Sequence, residues 1–264
     1  MKQSSMLKKI LAYKRHEVQL AKKAMPLDAM KEALAKSPPT RVYAETIRRR
    51  RPYQIHLIAE IKKASPSAGV IRPKMDVTAL AGDLEAAGAS ALSVLTETRY
   101  FQGSPDNLML AKKGCGLPVL RKDFIVDEYQ VYESRLIGAD AMLIIVRLLN
   151  QKALKTFVTL ARNLSITPVV EVHSVPEVRR ALDAGAEVIA VNTRDLGSFH
   201  VNFELAGEVR PKIPDGVVTI CASGVSTTRQ IDALRTLKFD AVLIGEALMR
   251  SRDPRALVHE LLHT

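Results

Sequence analysis

The chain is short of cysteine, of long apolar runs and of a glycine-rich nucleotide loop, and each shortage narrows what it does. Its 264 residues include two cysteines, Cys115 and Cys221. They offer no disulfide framework and no metal-ligand spacing. A reducing, cytoplasmic setting is expected. No apolar stretch approaches the ~18 residues of a membrane span, so no membrane partner is expected. The N-terminal residues 1–17 are basic and too charged to hold the apolar centre of a signal peptide. The six histidines are read as scattered, and no metal site is expected.

Acidic side chains are scarce in one region only. Residues 1–63 hold 16 basic and 5 acidic residues, whereas the remainder holds 23 of each. The whole net charge of +11 therefore lies in the N-terminal segment, which includes Arg48-Arg49-Arg50-Arg51. A solvated helical face is the plainest reading. A positive rim that draws in an anionic small molecule is the second. Nucleic-acid binding ranks last, because no aromatics are interleaved and no binding motif is present.

What is present is a regular alternation. Residues 4–24 carry Leu7, Ile10, Leu11, Val18 and Leu20 at roughly helical spacing. A second helix is expected after Pro26, ending before Pro38-Pro39, and a third over about Tyr43–Arg50. From His56 onward, strands are expected at 56–61, 91–95, 117–121, 140–146, 167–172, 187–192, 217–221 and 240–244. Helical stretches fall between and after them, near 76–87, 104–113, 128–137, 150–163, 174–184, 202–210, 226–237 and 253–262. Eight βα units predict one (β/α)₈ TIM barrel. Residues 1–55 form a helical extension covering it, and 56–264 form the barrel, in one structural domain. An open doubly wound sheet would more often place GxGxxG after its first strand, where this chain reads KKASPSAG. A faint repeat supports closure. AGASALSVL, IGADAMLII and AGAEVIAV lead into the second, fourth and sixth strands, and KFDAVLIG into the eighth. Gly88, Gly138 and Gly185 in these segments mark helix C-termini.

Several strands end in residues suited to chemistry. LIAEIKKASPS places Glu60 and Lys62, LPVLRKDF places Lys122, TPVVEVH places Glu171, and VIAVNTRDL places Asn192 and Arg194. In a barrel these ends share one rim, where active sites form. A simple rim ion pair accounts for any one Lys–Glu pair. Two lysines and two glutamates around one mouth shift one another's proton affinities and favour proton transfer. A lysine among carboxylates keeps its proton, which favours general-acid work over Schiff-base chemistry. After the last two strands come Ser223-Gly224 and Gly245-Glu246, where barrels often hold phosphate on backbone N–H groups. Ser65 and Arg194 can add a hydroxyl and a fixed charge. Phe101, Phe124, Leu143 and Leu196 lie at or beyond strand ends. They read either as core or as an apolar slot for a flat ring.

The segments LIAEIKKASPS, SVLTETRYFQGS, PVLRKDFIVDEYQ, VVEVH, VNTRDL, ASGV and VLIGEALM together resemble the indole-3-glycerol-phosphate synthase family of tryptophan biosynthesis. The resemblance covers nearly the whole barrel and the helical extension. It implies ring closure, decarboxylation and dehydration of 1-(2-carboxyphenylamino)-1-deoxyribulose 5-phosphate to indole-3-glycerol phosphate. It implies no metal and no organic cofactor. By match to the family motifs, Lys122 is the general acid on the substrate carbonyl, and Glu171 is the base or proton partner in dehydration. Lys62 binds the substrate carboxylate and Glu60 orients it. Asn192 holds sugar or ring-closure groups, and Ser223 joins this catalytic set. Arg194, Ser65, Gly224, Gly245 and the adjoining Glu246 hold phosphate, while Phe101, Phe124, Leu143 and Leu196 pack on the ring. The basic extension suits a substrate with a carboxylate and a phosphate. A monomer or weak homodimer is expected.

This chain departs from the family pattern at two places. Ala222-Ser223-Gly224 stands where the family usually has Glu-Ser-Gly, and PSAG (Pro66–Gly69) stands for the commoner PSKG. The first removes a carboxylate from the mouth, so a slowed synthase is one reading. A related phosphate-sugar barrel enzyme with another substrate, or a silent phosphate-ligand-binding barrel, are the alternatives. A phosphoribosylanthranilate isomerase is excluded by Glu60 and Lys62, where that enzyme needs a Cys/Asp pair early in its barrel.

Overall fold

The computed structural model describes residues 5–195 and 200–263. Eight parallel strands close into a barrel: β1 (His56–Ile61), β2 (Ala91–Leu95), β3 (Val119–Lys122), β4 (Ala141–Ile145), β5 (Thr167–Val172), β6 (Val188–Asn192), β7 (Val218–Ala222) and β8 (Ala241–Ile244). Each pairs with the next in chain order, and β8 returns to β1 through Ile58↔Leu243 and its neighbours. The strands are short and rich in Val, Ile, Leu and Ala, as sheets buried on both faces require. Alternate residues divide into two apolar layers. Ile58, Leu120, Leu143, Ile220 and Leu243 fill the barrel interior. Leu57, Met142, Val170, Ile189 and Val242 face the outer helices. Each such fully buried side chain contributes about 1.5–3 kcal/mol.

The helices are α1 (Ser5–Ala24), α2 (Leu27–Leu34), α3 (Val77–Ala86), α4 (Pro105–Gly114), α5 (Glu128–Leu136), α6 (Gln151–Asn163), α7 (Val175–Asp183), α8 (Glu204–Val209), α9 (Thr228–Thr236), α10 (Glu246–Arg250) and α11 (Pro254–His263). Local chemistry starts many of them. Asp76, Ser104, Asn150 and Thr227 each accept a backbone N–H of the following turn, and Asp127 forms a reciprocal capping box with Gln130. Gly88, Gly138 and Gly185 end α3, α5 and α7 at φ 100°, 83° and 83°, which an L side chain resists.

The N-terminal extension touches both ends of the barrel. At the C-terminal end, Leu7, Ile10 and Leu11 of α1 join the interior cluster together with Phe124. Lys14 of α1 forms ion pairs with Asp123 at 2.9 Å and with Glu17 at 2.8 Å. At the opposite end, Tyr43 and Ile47 are buried in the same cluster with the first residues of β2, β4, β6, β7 and β8. The helix expected over Tyr43–Arg50 does not form; that stretch is turns and extended chain. The barrel takes the backbone groups that a helix would have used. Asp240 accepts the Arg49 N–H at 2.9 Å, the His56 ring contacts the Arg48 carbonyl at 3.2 Å, and Gln54 accepts from Arg50. A two-stranded hairpin (Ala64–Ser65 with Gly69–Val70) after β1 and the short α10 were not expected from the sequence.

Among the described residues, no helix is long and apolar enough to cross a membrane. The Arg48–Arg51 run lies at the barrel end away from the strand C-termini, where Arg48 and Arg50 pair with Glu45. It is therefore not part of a positive rim at the mouth.

Candidate active site

Parallel strands of similar length bring their C-terminal residues to one level, and the chemically equipped residues stand there. Glu60 lies near the end of β1, Lys122 ends β3, Glu171 lies near the end of β5, and Asn192 ends β6. Lys62, Arg194 and Ser223 follow their strands by one or two residues. They line a single cavity of about 710 Å³, counting the open space at its mouth.

Two acid–base pairs face into it. Lys62 Nζ donates to Glu60 Oε1 at 2.7 Å. Lys122 Nζ lies 3.6 Å from Glu171 Oε2, a looser contact. Burial alone would raise the Glu60 carboxyl, but Lys62, Lys122 and Arg194 outweigh it and hold Glu60 below the usual carboxylate range. Glu60 is thus an anion that orients lysine rather than a proton donor at neutral pH. Asn192 is buried, and its Oδ1 accepts the Arg194 N–H at 3.0 Å, which fixes the chain leaving β6.

One wall is apolar. Phe101, Phe124 and Leu143 line it as expected, joined by Leu95 and Ile145. The rings of Phe101 and Phe124 are 6.2 Å apart and tilted by 44°. Phe101 is held by Glu97, whose carboxylate accepts the N–H groups of Arg99, Tyr100 and Phe101 at 3.2, 2.7 and 2.9 Å.

The opposite side opens into an adjoining hollow lined by Gly224, Gly245, Ser223, Arg194 and Glu246. Gly245 must be glycine, because an added Cβ would stand 2.4 Å from Glu60 Oε1. Ser223 has φ 71°, a costly conformation for a non-glycine residue. Thr193 Oγ1 donates to its carbonyl at 2.9 Å and helps hold it. Glu246 lies between two arginines, 3.8 Å from Arg194 and 3.1 Å from Arg250. Ser65 is buried at the hairpin and accepts the Ala68 N–H at 3.2 Å. Leu196 lies outside the described residues.

The cavity thus joins an apolar wall, paired lysines and carboxylates, and an arginine-lined recess. The indole-3-glycerol phosphate synthase family model matches residues 7–261. The indole-3-glycerol phosphate synthase of Laribacter hongkongensis is 42% identical over 260 residues, covering 98% of this chain and 99% of the relative. That of Chlorobium chlorochromatii is 42% identical over 252 residues, covering 96% and 98%. The chain belongs to the indole-3-glycerol phosphate synthase family. Among solved structures, 3-hexulose-6-phosphate synthase from Salmonella typhimurium aligns with a TM-score of 0.63 at 15% identity, covering 78% of this chain and 96% of that one. Thiamine phosphate pyrophosphorylase from Pyrococcus furiosus aligns at 0.59 and 14%, covering 80% and 94%. These two show the fold alone.

Ala222 ends β7 at the same level. Its side chain is buried, in register with Asn192 of β6 and Leu243 of β8.

Several residues in and behind the synthase pocket are not expected from the sequence. Asp123, next to Lys122, is buried and bonded by Lys14, Thr96 and Arg121. His173 stands behind Glu171, and Glu177 and Arg147 stand behind His173. A VEVH segment signals His173 only once its partner on α7 is known. One histidine pairing also escaped notice: His259 and His263 flank Glu260 at HExxH spacing on α11. This helix packs on α3 and α9, outside the barrel. Among the described residues, no group of three His, Cys, Asp or Glu side chains is arranged to hold a metal.

Proposed function

We propose that the chain performs the indole-3-glycerol phosphate synthase reaction in this cavity, as a carboxy-lyase of tryptophan biosynthesis. The observation that carries the reading is the convergence of Lys62–Glu60 and Lys122–Glu171 on one apolar-walled pocket beside Arg194. The substrate would be 1-(2-carboxyphenylamino)-1-deoxyribulose 5-phosphate. Its aryl ring packs on Phe101, Phe124 and Leu143, its carboxylate meets Lys62, and its phosphate occupies the recess of Arg194, Ser65, Gly224 and Gly245. Glu246 must then exchange its contact with Arg194 for one with Arg250 alone.

Lys122 donates a proton to the substrate carbonyl oxygen as the new carbon–carbon bond forms. The carboxylate leaves as carbon dioxide; the resulting hydroxyl then leaves as water with a proton from Lys62, while Glu171 accepts the proton lost from the adjoining ring carbon. Lys122 has the Glu171 carboxylate beside it, which suits proton donation better than Schiff-base formation. Asn192 and Ser223 hold the polyol during ring closure. No metal or organic cofactor enters these steps. The protein would act in the cytoplasm, as a monomer or weak homodimer, without nucleic acid.

The test mixes purified protein with the substrate and follows indole-glycerol fluorescence. Turnover is expected, and Lys122→Ala should lower kcat by roughly 10²–10⁴-fold with the fold intact. Equal turnover in Lys122→Ala would overturn this assignment. The missing carboxylate at Ala222 supports a second reading, a barrel that binds phosphate ligands without turning them over. Tight product binding without turnover would establish it.

A further inference from the structure

Behind the pocket, a row of charged side chains runs from Glu171 into the protein. The imidazole of His173 is buried, with a side-chain exposure of 3%. Its Nε2 lies 3.3 Å from Glu171 Oε1, and its Nδ1 lies 3.6 Å from Glu177 Oε2. Both distances are long for hydrogen bonds, and neither contact is aligned as one. Glu177 is anchored independently. Its Oε2 accepts the His173 backbone N–H at 2.7 Å, and its Oε1 lies 3.3 Å from Arg147 Nε. Arg147 in turn reaches Asp195 at 3.6 Å. Burial would raise Glu177, but His173 and Arg147 hold it below the usual carboxylate range. The charged groups around His173 are thus Glu171, Glu177, Arg147 and Asp195, with Lys122 on the far side of Glu171.

Each ring nitrogen of His173 faces a carboxylate oxygen, and ionised carboxylates only accept. A neutral imidazole donates from one nitrogen and leaves the other opposed to an acceptor. The imidazolium, with two N–H groups, satisfies both sides. The geometry points to His173 as a positioning residue, an imidazolium held between Glu177 and Glu171 that aims the Glu171 carboxylate for proton transfer. It rests on the synthase reading for the role of Glu171, but not for its own charge state. In the free enzyme the contacts are slack, as catalytic hydrogen bonds often are before substrate tightens them. His173 does not line the cavity and lies against Glu171, so it acts through that residue.

The charge state can be measured without substrate. Nitrogen-15 histidine spectra of the full chain at pH 7.5, with His173→Gln assigning the signal, should show both ring nitrogens of His173 protonated. Glu177→Gln should return the ring to a single neutral tautomer. A neutral ring in the wild-type protein overturns the inference even if the enzyme is fully active. In the kinetic arm, His173→Gln should lower kcat about tenfold, with KM within about twofold, because proton transfer and not binding is affected. A folded His173→Gln protein with unchanged kcat, or with KM raised as much as kcat falls, sinks the positioning role. If wild-type protein lacks turnover but holds a doubly protonated His173, the synthase reading fails and the charge assignment stands.

Discussion

Ala222 is where one side chain changes the chemistry most directly. It sits at the mouth end of β7, its neighbours in register are Asn192 and Leu243, and its methyl joins the interior apolar cluster. A glutamate there would project toward the cations that already surround Glu60. Lys62 and Lys122 can accommodate a second carboxylate, so burying it costs less than in an apolar site. Ala222→Glu is therefore expected to fold and to raise kcat, measured by the same fluorescence assay. No rise, with unfolding behaviour unchanged, would mean that the seventh-strand carboxylate is dispensable in this chain. The rim residues were legible in the sequence because a parallel strand delivers its last residue to a known place. Glu60, Lys122, Glu171 and Asn192 needed only that rule. His173 was not legible, because its meaning depends on how α7 returns Glu177 to it, and no local pattern encodes that approach.

At the scale of the element, α1 is attached to the site through charge as well as apolar packing. Lys14 is 4% exposed and bridges Glu17 and Asp123, the residue after Lys122. Thr98 also donates to Glu17, which ties α1 to the loop carrying Phe101. Burial would lower the Lys14 ammonium, but Asp123 and Glu17 raise it above its usual value. Burial would raise Asp123, but Lys14, Arg121 and Thr96 bring it below the usual range. The signs fix the pH window. The Asp123 contribution is complete above its unfolded value of about 3.9 and fades as pH falls through its lower folded value. The Lys14 contribution is complete below about 10.4 and fades as pH rises through its higher folded value. Lys14→Met should cost about 2 kcal/mol at pH 7, because Asp123 keeps Arg121 but loses one charged partner. In urea unfolding, the difference from wild type should stay level from about pH 5 to 9 and shrink well below pH 4. A constant difference down to pH 2 would show that lost packing, not lost charge, sets the cost. The same scale explains the failed helix. Tyr43–Arg50 has acceptable helical spacing, but Asp240, His56 and Gln54 claim its backbone, and one hydrogen-bonded turn is too costly a nucleus alone.

Across the whole molecule the two ends of the barrel divide the work. At the mouth, Glu171 is buried without an aligned hydrogen bond, as is His173 behind it. At the far end, the Tyr43 hydroxyl and Arg49 Nε are likewise buried without a partner, but the residues that lead into the even strands are tightly bonded. The repeat seen in the sequence places a polar residue just before each even strand: Ser90, Asp140, Glu187 and Asp240. Three of them stitch this end. Ser90 Oγ lies 2.8 Å from His56 Nδ1. Asp140 accepts from Arg41 N–H at 2.7 Å, Lys112 at 2.6 Å and Val119 N–H at 2.8 Å. Asp240 accepts from Arg49 N–H at 2.9 Å, Thr219 N–H at 2.7 Å and the Thr219 hydroxyl at 2.8 Å. Each aspartate thus joins the extension to a barrel strand, which closes the end where Tyr43 and Ile47 are buried. Asp240→Ala leaves three donors without this acceptor and should cost about 2–3 kcal/mol. Asp140→Ala should cost a similar amount. The two sites share no partner, so the double variant should equal the sum to within about 0.5 kcal/mol in denaturant unfolding. Turnover at a temperature where each variant stays folded should match wild type, because neither aspartate approaches the cavity. A large excess over the sum would mean that the extension detaches as one unit once either aspartate is gone. A fall in kcat without unfolding would show that closing the far end also sets the geometry of the mouth.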